Sequence, residues 1–587
     1  MLYPQANRCR EVIDLSGLWD FAIDPDLAGE ADGWHRSGLP SGVDIAVPAS
    51  WNEQFPGMTF SGHDLKHYMG AAWYQKRFFA PSAWRDRRVW LRIGAANYRA
   101  RVWVNGHALG EHEGGFLPFE FEIGERLACD APNLVSIRID VALSADTVPQ
   151  GLPDLVENYP PATFDFFPYG GLHRPVKLYT TPAGYIRDIA LTPSIEGNRG
   201  ILDYVVQFAG AAPDTASIAL CGGGEVFGAE GRVVDGVLSG RLVVPGAQLW
   251  APGHPFLYDC QIESAGESQD AYTLPVGIRT VEATPDHLLL NGKPVFLRGA
   301  GKHEDFPVIG KGMNLAVILR DFALLRWLHA NAFRCVHYPY AEEVLFLADK
   351  QGVLVVDEVP AVGLSPLHIT ERTEAVHHQM LHEMYARDKN HSSVVLWCVA
   401  NEPMIRGEAP DTGQAVRAAD AYFGRICATM KQLDRTRPVT LALHPSPCEP
   451  ILRHCDIISL NRYHGWYYHP GRIDRACAAL DQDLEACRRA FGRAILVSEF
   501  GADTMAGLHA EPPELFTEEY QADLLMRQMD VIESKPYTVG ELIWGFSDFK
   551  TAQHYSRVVL NRKGLFTRDR EPKMAARIVR QRWEKAE

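Results

Sequence analysis

Val399-Ala400-Asn401-Glu402-Pro403 and Val497-Ser498-Glu499-Phe500-Gly501 are the two stretches whose reading decides the fold. Each sets one glutamate behind a short, apolar, β-branched run, Val394–Trp397 in the first case and Ala494–Val497 in the second. Runs that are apolar on both faces read as parallel strands buried in an α/β unit. In a closed barrel, a carboxyl group at the C-terminal end of such a strand sits on the face that carries chemistry.

Outward from these runs, the chain after about residue 278 alternates strand-like and helix-like segments, the pattern of βα units. The other strand candidates are Val295–Arg298, Ala332–Val336, Val353–Val356, Val439–Leu441, Ile457–Leu460 and Leu542–Trp544. With the first two they make eight, the count of a (β/α)8 TIM barrel. Helical stretches such as Asp321–Ala330 and Glu374–Ala386 lie between them. Residues 1–182 read as all-β, with short apolar runs, recurrent turn residues and a strong hairpin signal at Asn105-Gly106. A jelly-roll β-sandwich is the expectation there. Residues 183–277, with strand-like runs at Leu202–Val206 and Leu242–Val244, have the length of an immunoglobulin-like β-sandwich. Residues 278–587 are then the catalytic barrel.

A chain of 587 residues is too long for one hydrophobic core, which agrees with several domains. The net charge of −15 argues against a nucleic-acid or anionic-membrane partner, and an acidic substrate would need a local group of cations. No apolar run reaches the length of a membrane span, and residues 1–8 carry no secretory pattern. The 11 cysteines are odd in number and scattered, with no CxxC pair, which points to a reducing cytoplasm rather than a disulfide framework or zinc site.

Glu402 follows the fourth strand and Glu499 the seventh, so a closed barrel aims both at one cavity. Two carboxyl groups facing one cavity suit cleavage of a glycosidic bond. Asn401 beside Glu402 can hold a sugar hydroxyl, which suits Glu402 as the general acid and leaves Glu499 to attack the anomeric carbon. A retaining mechanism predicts carboxyl groups about 5–5.5 Å apart. It also predicts a raised pKa for Glu402 and an ionised Glu499. Arg334, on the second strand, is placed to ion-pair with Glu499 and lower its pKa. His337, Tyr467 and Trp544 are expected to line the sugar site. The competing reading is that Asn-Glu-Pro arises by chance, its glutamate opening a helix. A different class is a non-catalytic carbohydrate-binding protein with two β-sandwiches and an inactive barrel, which the presence of both Glu402 and Glu499 disfavours.

Several motifs carry a resemblance. Asp165-Phe166-Phe167-Pro168-Tyr169-Gly170-Gly171-Leu172-His173-Arg174, Arg334–Tyr340, Ala386-Arg387-Asp388-Lys389-Asn390-His391, Asn461–Tyr467, Asp503–His509 and Asn561–Arg570 follow one another in order. By these the chain resembles the β-glucuronidases of glycoside hydrolase family 2 over nearly its whole length. The resemblance implies a sugar-binding jelly roll, an immunoglobulin-like domain and a catalytic barrel. It also implies Glu402 as acid/base and Glu499 as nucleophile, with no metal or cofactor. Asn561 and Lys563 look like the Asn-x-Lys motif that grips the sugar carboxylate, with Arg557 nearby, although Lys563 taken alone reads better as one of many surface lysines. Tyr463 resembles the tyrosine set beside the nucleophile, and Asp165 an aspartate that reaches the sugar hydroxyls.

The departures from the pattern are Cys335-Val336, where the family has Thr-Ser, and the short segment from Gly363 to about Glu374, which implies an open mouth. Cys335 reads as a small buried residue. His303-Glu304-Asp305 is assigned no metal and could pair with Lys302 or line the cavity edge. The expected partner is a small-molecule or oligosaccharide uronide, with a β-galacturonidase or mixed uronidase as the near alternative. The resemblance leaves a homodimer or homotetramer open.

Overall fold

The computed structural model of the chain describes residues 1–585 apart from 41, 56, 267, 268, 406–411, 445 and 447. Eight parallel strands close into a barrel in chain order. They are β1 (Leu297–Lys302), β2 (Ala332–Cys335), β3 (Leu354–Glu358), β4 (Val394–Asn401), β5 (Val439–Leu443), β6 (Ile458–Asn461), β7 (Ile495–Glu499) and β8 (Thr538–Trp544). β8 pairs with β1, Gly540 opposite Leu297 through Trp544 opposite Gly301, and this closes the ring. Every residue of β2 to β8 is buried, the condition that an apolar run without alternation requires.

β1 departs from the expected Val295–Arg298. Asn291 and Gly292, with φ of 54° and 74°, turn the chain tightly. Lys293–Val295 therefore pairs back on Leu288–Leu290 in a small antiparallel sheet. The barrel strand instead runs through Gly299-Ala300-Gly301, which has little apolar signal. Gly299 is obligatory there, since a Cβ would lie 1.8 Å from the Ala332 carbonyl oxygen. The first helix, α1 (Leu315–Trp327), also starts earlier than the expected Asp321. The Asn314 side chain accepts hydrogen bonds from the Ala316 and Val317 backbone N–H groups, an N-cap that opens the helix. The stretch expected at Glu374–Ala386 lies inside α3 (Glu371–Asp388), which a Thr370–Thr373 capping box opens. Between them lies α2 (Glu342–Gln351).

Two β-sandwiches precede the barrel. In the first, a six-stranded and a four-stranded antiparallel sheet enclose a core that includes Trp19, Trp51, Tyr74 and Ile137. Asn105 and Gly106, both at positive φ, make the hairpin between Arg99–Val104 and His107–Glu113. In the second, a three-stranded sheet packs on a four-stranded one. Its strand Tyr258–Ser264 alternates buried and exposed, as a half-solvated sheet must. Among the described residues no helix is long and apolar enough to cross a membrane, and all 11 cysteines are free.

Buried ion pairs hold the sandwiches to the barrel. Arg92, on the strand Arg88–Ile93, donates through Nη2 to both carboxylate oxygens of Glu342 at the start of α2, at 3.0 and 2.9 Å. Lys389 reaches Asp188 of the second sandwich at 2.7 Å. The His303-Glu304-Asp305 segment is part of the same seam. Glu304 pairs with Arg174 and Asp305 with Arg568, whereas Lys302 turns to Asp321. Breaking a buried pair from one side leaves an uncompensated charge, so Arg92→Ala is expected to cost about 3–5 kcal/mol. A thermal melt reads this as a lower Tm, and an unchanged melt would show that the pair contributes nothing.

Candidate active site

The C-terminal ends of the barrel strands open into a cavity of about 390 Å³. Asn401, Glu402, Tyr463, Glu499 and Trp544 line it from the barrel, and Phe164 and Asp165 line it from the first sandwich. Glu499 is the last residue of β7, and Glu402 follows the last residue of β4. Glu402 takes a positive φ of 45°, rare for a residue with a side chain. Such outliers persist only where the surroundings hold them, and here the Glu402 N–H is bonded to the Ala442 carbonyl on β5 at 2.9 Å.

One guanidinium organises the floor. Arg334 on β2 donates from Nε to Glu358 at 2.6 Å, from Nη1 to Glu499 at 2.7 Å and from Nη2 to Asn401 Oδ1 at 2.7 Å. Asn461, the last residue of β6, donates to Asn401 Oδ1 at 3.0 Å and to Glu402 Oε1 at 2.7 Å, and is itself held by Ser498 Oγ. Glu402 and Glu499 are thereby joined through Asn461, Asn401 and Arg334. Tyr463 donates its hydroxyl to Glu499 Oε2 at 2.6 Å. His337 stacks on Trp544 with ring centroids 5.1 Å apart and places Nδ1 2.8 Å from Glu358.

The electrostatics overturn the sequence expectation of a Glu499 that is ionised and lowered by Arg334. Burial pushes Glu499 up to about 8; Arg334 and the Tyr463 hydroxyl pull it down, and the charge of Glu402 adds to the rise. Desolvation of a carboxyl beside two others, Glu402 and Glu358, outweighs one shared cation.

The other end of the cavity is a mixed cluster of cations and carboxylates. Arg557 grips Asp165 with two hydrogen bonds, at 2.8 and 2.9 Å, and reaches the Tyr467 hydroxyl at 2.6 Å. Asn561 donates to Asp165 at 2.6 Å. Lys563 pairs with Asp503 at 2.8 Å and lies 5.0 Å from the Tyr467 ring centroid. Burial favours the neutral acid, yet Arg557 and Lys563 hold Asp165 below the usual carboxylate range. Asp165, Tyr467 and Arg557 form the wall here, whereas Asn561 and Lys563, each 1% exposed, stand directly behind them. Lys563 is therefore no surface lysine.

Reading the sequence missed Glu358 and Asn461 as well as His444, which also lines the cavity. Glu358 and Asn461 are the final residues of β3 and β6. The strand-end rule that singled out Glu402 and Glu499 applies to them equally. Cys335 is fully buried, and burial raises its thiol well above the ordinary range.

Residues 12–182 match the sugar binding domain of glycosyl hydrolases family 2, residues 184–279 the glycosyl hydrolases family 2 domain, and residues 281–587 the family's TIM barrel domain. The chain belongs to glycosyl hydrolase family 2. Within this family it is 39% identical over 606 residues to a β-glucuronidase of Paenibacillus borealis, covering 99% of this chain and 98% of the relative. It is 40% identical over 621 residues to the β-glucuronidase of Homo sapiens, covering 99% and 92%. The structure of a β-glucuronidase from Ruminococcus gnavus in complex with C6-substituted uronic isofagomine superposes with a TM-score of 0.91 at 36% identity, covering 99% of each chain.

Tyr463→Phe removes a donor that stabilises the Glu499 carboxylate, so it raises that pKa further. The acidic limb of the pH–rate profile on an aryl glycoside is expected to move to higher pH. A limb that stays in place would show that the hydroxyl does not act on this carboxyl.

Proposed function

We propose that the protein is an exo-acting, retaining β-glucuronidase that removes terminal β-D-glucuronic acid through a covalent glycosyl-enzyme. Glu402 gives its proton to the glycosidic oxygen while the Glu499 carboxylate attacks the anomeric carbon, and the aglycone leaves as the alcohol. Glu402 then takes a proton from water, which attacks the same carbon and releases glucuronate and free Glu499. Asn401, its Oδ1 engaged by Arg334 and Asn461, has Nδ2 left to donate to a sugar hydroxyl. Trp544 offers an apolar face for the pyranose ring.

The observation that carries this reading is one cavity with Glu402 and Glu499 at one end and Asp165 and Arg557 at the other, where Asn561 and Lys563 stand directly behind the wall. The relatives' names support it. In that cluster the charges of Arg557 and Lys563 are matched by Asp165 and Asp503. A sugar carboxylate is therefore held by well-aimed N–H donors rather than by surplus positive charge. Galacturonides differ only in the configuration at C4.

Turnover of para-nitrophenyl β-D-glucuronide should exceed that of the galacturonide and the glucoside. A faster galacturonide rate would overturn the sugar assignment. Glu499→Ala should stop turnover. Glu402→Ala should harm poor leaving groups most, because good ones need little protonation. Lys563→Ala, losing one charge-assisted hydrogen bond, should cost the glucuronide about 1.5–3 kcal/mol, roughly 10- to 150-fold. Any glucosidase activity should fall much less, and an equal loss on both substrates would reject the carboxylate grip.

A further inference from the structure

Glu358 is a third carboxylate in the floor of the site, and the chemistry proposed above does not use it. It ends β3, is 0% exposed and has both oxygens engaged. Oε2 accepts from Arg334 Nε at 2.6 Å and Oε1 faces His337 Nδ1 at 2.8 Å. We infer that Glu358 is a positioning residue. Its carboxylate holds the Arg334 fork so that Nη1 meets Glu499 and Nη2 meets Asn401. It also fixes His337 as the Nδ1–H tautomer, leaving the Nε2 lone pair to accept a hydrogen bond from a sugar hydroxyl. This inference rests on the reading of Glu402 and Glu499 as the hydrolytic pair.

The Arg334 Nε–H and the His337 Nδ1–H each require an acceptor, and a carboxylate supplies two from one side chain. His337 Nε2 lies 3.9 Å from Glu499 Oε1, beyond a hydrogen bond, and His337 lines the cavity. Burial lowers the His337 pKa, so the ring stays neutral and its tautomer is set by the bond at Nδ1. A glutamine in place of Glu358 has one oxygen and one NH2 group. If the oxygen serves Arg334, the NH2 group faces Nδ1. The ring must then take its other tautomer and turn an Nε2–H toward the cavity.

The charge of Glu358 has a second effect, on Glu499. The titratable and charged groups around Glu358 are Arg334 from β2, His337 just after β2, Cys398 from β4, Glu499 from β7 and Asp357 on its own strand, with Glu402 beyond. Burial and the Glu402 and Glu358 charges raise the Glu499 pKa. Replacing Glu358 by a neutral group removes one of those charges and leaves Arg334 to Glu499 alone. Both changes stabilise ionised Glu499.

The test compares Glu358→Gln and Glu358→Asp with the wild-type enzyme on para-nitrophenyl β-D-glucuronide, across pH, with thermal melts as a check on folding. Glu358→Gln is expected to lower kcat about 100-fold, the scale of a misplaced catalytic group, and to move the acidic limb of kcat/KM to lower pH. Glu358→Asp keeps the charge but is too short to reach both donors, so kcat should fall with the limb unmoved. A purely structural role predicts a lower Tm and no movement of the limb in either variant. Wild-type kcat in either folded variant, or an unmoved limb in Glu358→Gln, would overturn the inference. If Glu358→Gln does not fold, the Glu358→Asp result decides by the same criterion of lost kcat. A wild-type enzyme inactive on glucuronides would instead defeat the functional reading, which keeps the two failures distinct.

Discussion

A guanidinium buried in a protein must have its N–H groups met and its charge answered, and the site depends on how Arg334 satisfies that demand. It has 1% of its surface exposed and partners on three other strands, Glu358 on β3, Asn401 on β4 and Glu499 on β7. The contact with β7 exists only because β8 pairs with β1 and closes the barrel, which brings β7 within reach of β2. Asn461 extends the network to Glu402, so all of these groups are held in one hydrogen-bonded frame. Preorganisation of this kind removes the cost of orienting groups during a reaction.

The same burial sets the electrostatic character of the site. Glu499 is pushed up to about 8 although Arg334 touches it, because one cation is divided between two carboxylates in a space that water hardly reaches. Coupled carboxyls in one cavity titrate as a set rather than singly. The end of the cavity near Asp165 is built differently. There each cation has a carboxylate of its own, and its selectivity comes from donor geometry.

The barrel was legible because seven of its strands are apolar on both faces, and few other structures suit such runs. β1 was misplaced because Gly299 and Gly301, required by close backbone approach, carry no apolar signal. The start of α1 was missed because an asparagine cap lies outside the apolar pattern. Glu402 and Glu499 stood out since each follows a strong strand and has a distinctive neighbour. Glu358 was hidden in Val356-Asp357-Glu358, where an acidic pair reads as the start of a loop. Lys563 showed only its residue type. The mixed charge of its surroundings comes from Asp503 and from Asp165, which lies nearly four hundred residues away and in another domain.

The sequence by itself determined the strand count, the order of sandwiches and barrel, and the two glutamates at strand ends, because these follow from local periodicity and from residue type. Only the tertiary structure decided which groups share the cavity floor, that Lys563 and Asn561 stand behind its wall, and which way burial moves Glu499. Those outcomes depend on desolvation and on contacts between segments far apart in the chain, and neither is encoded in any short window of sequence.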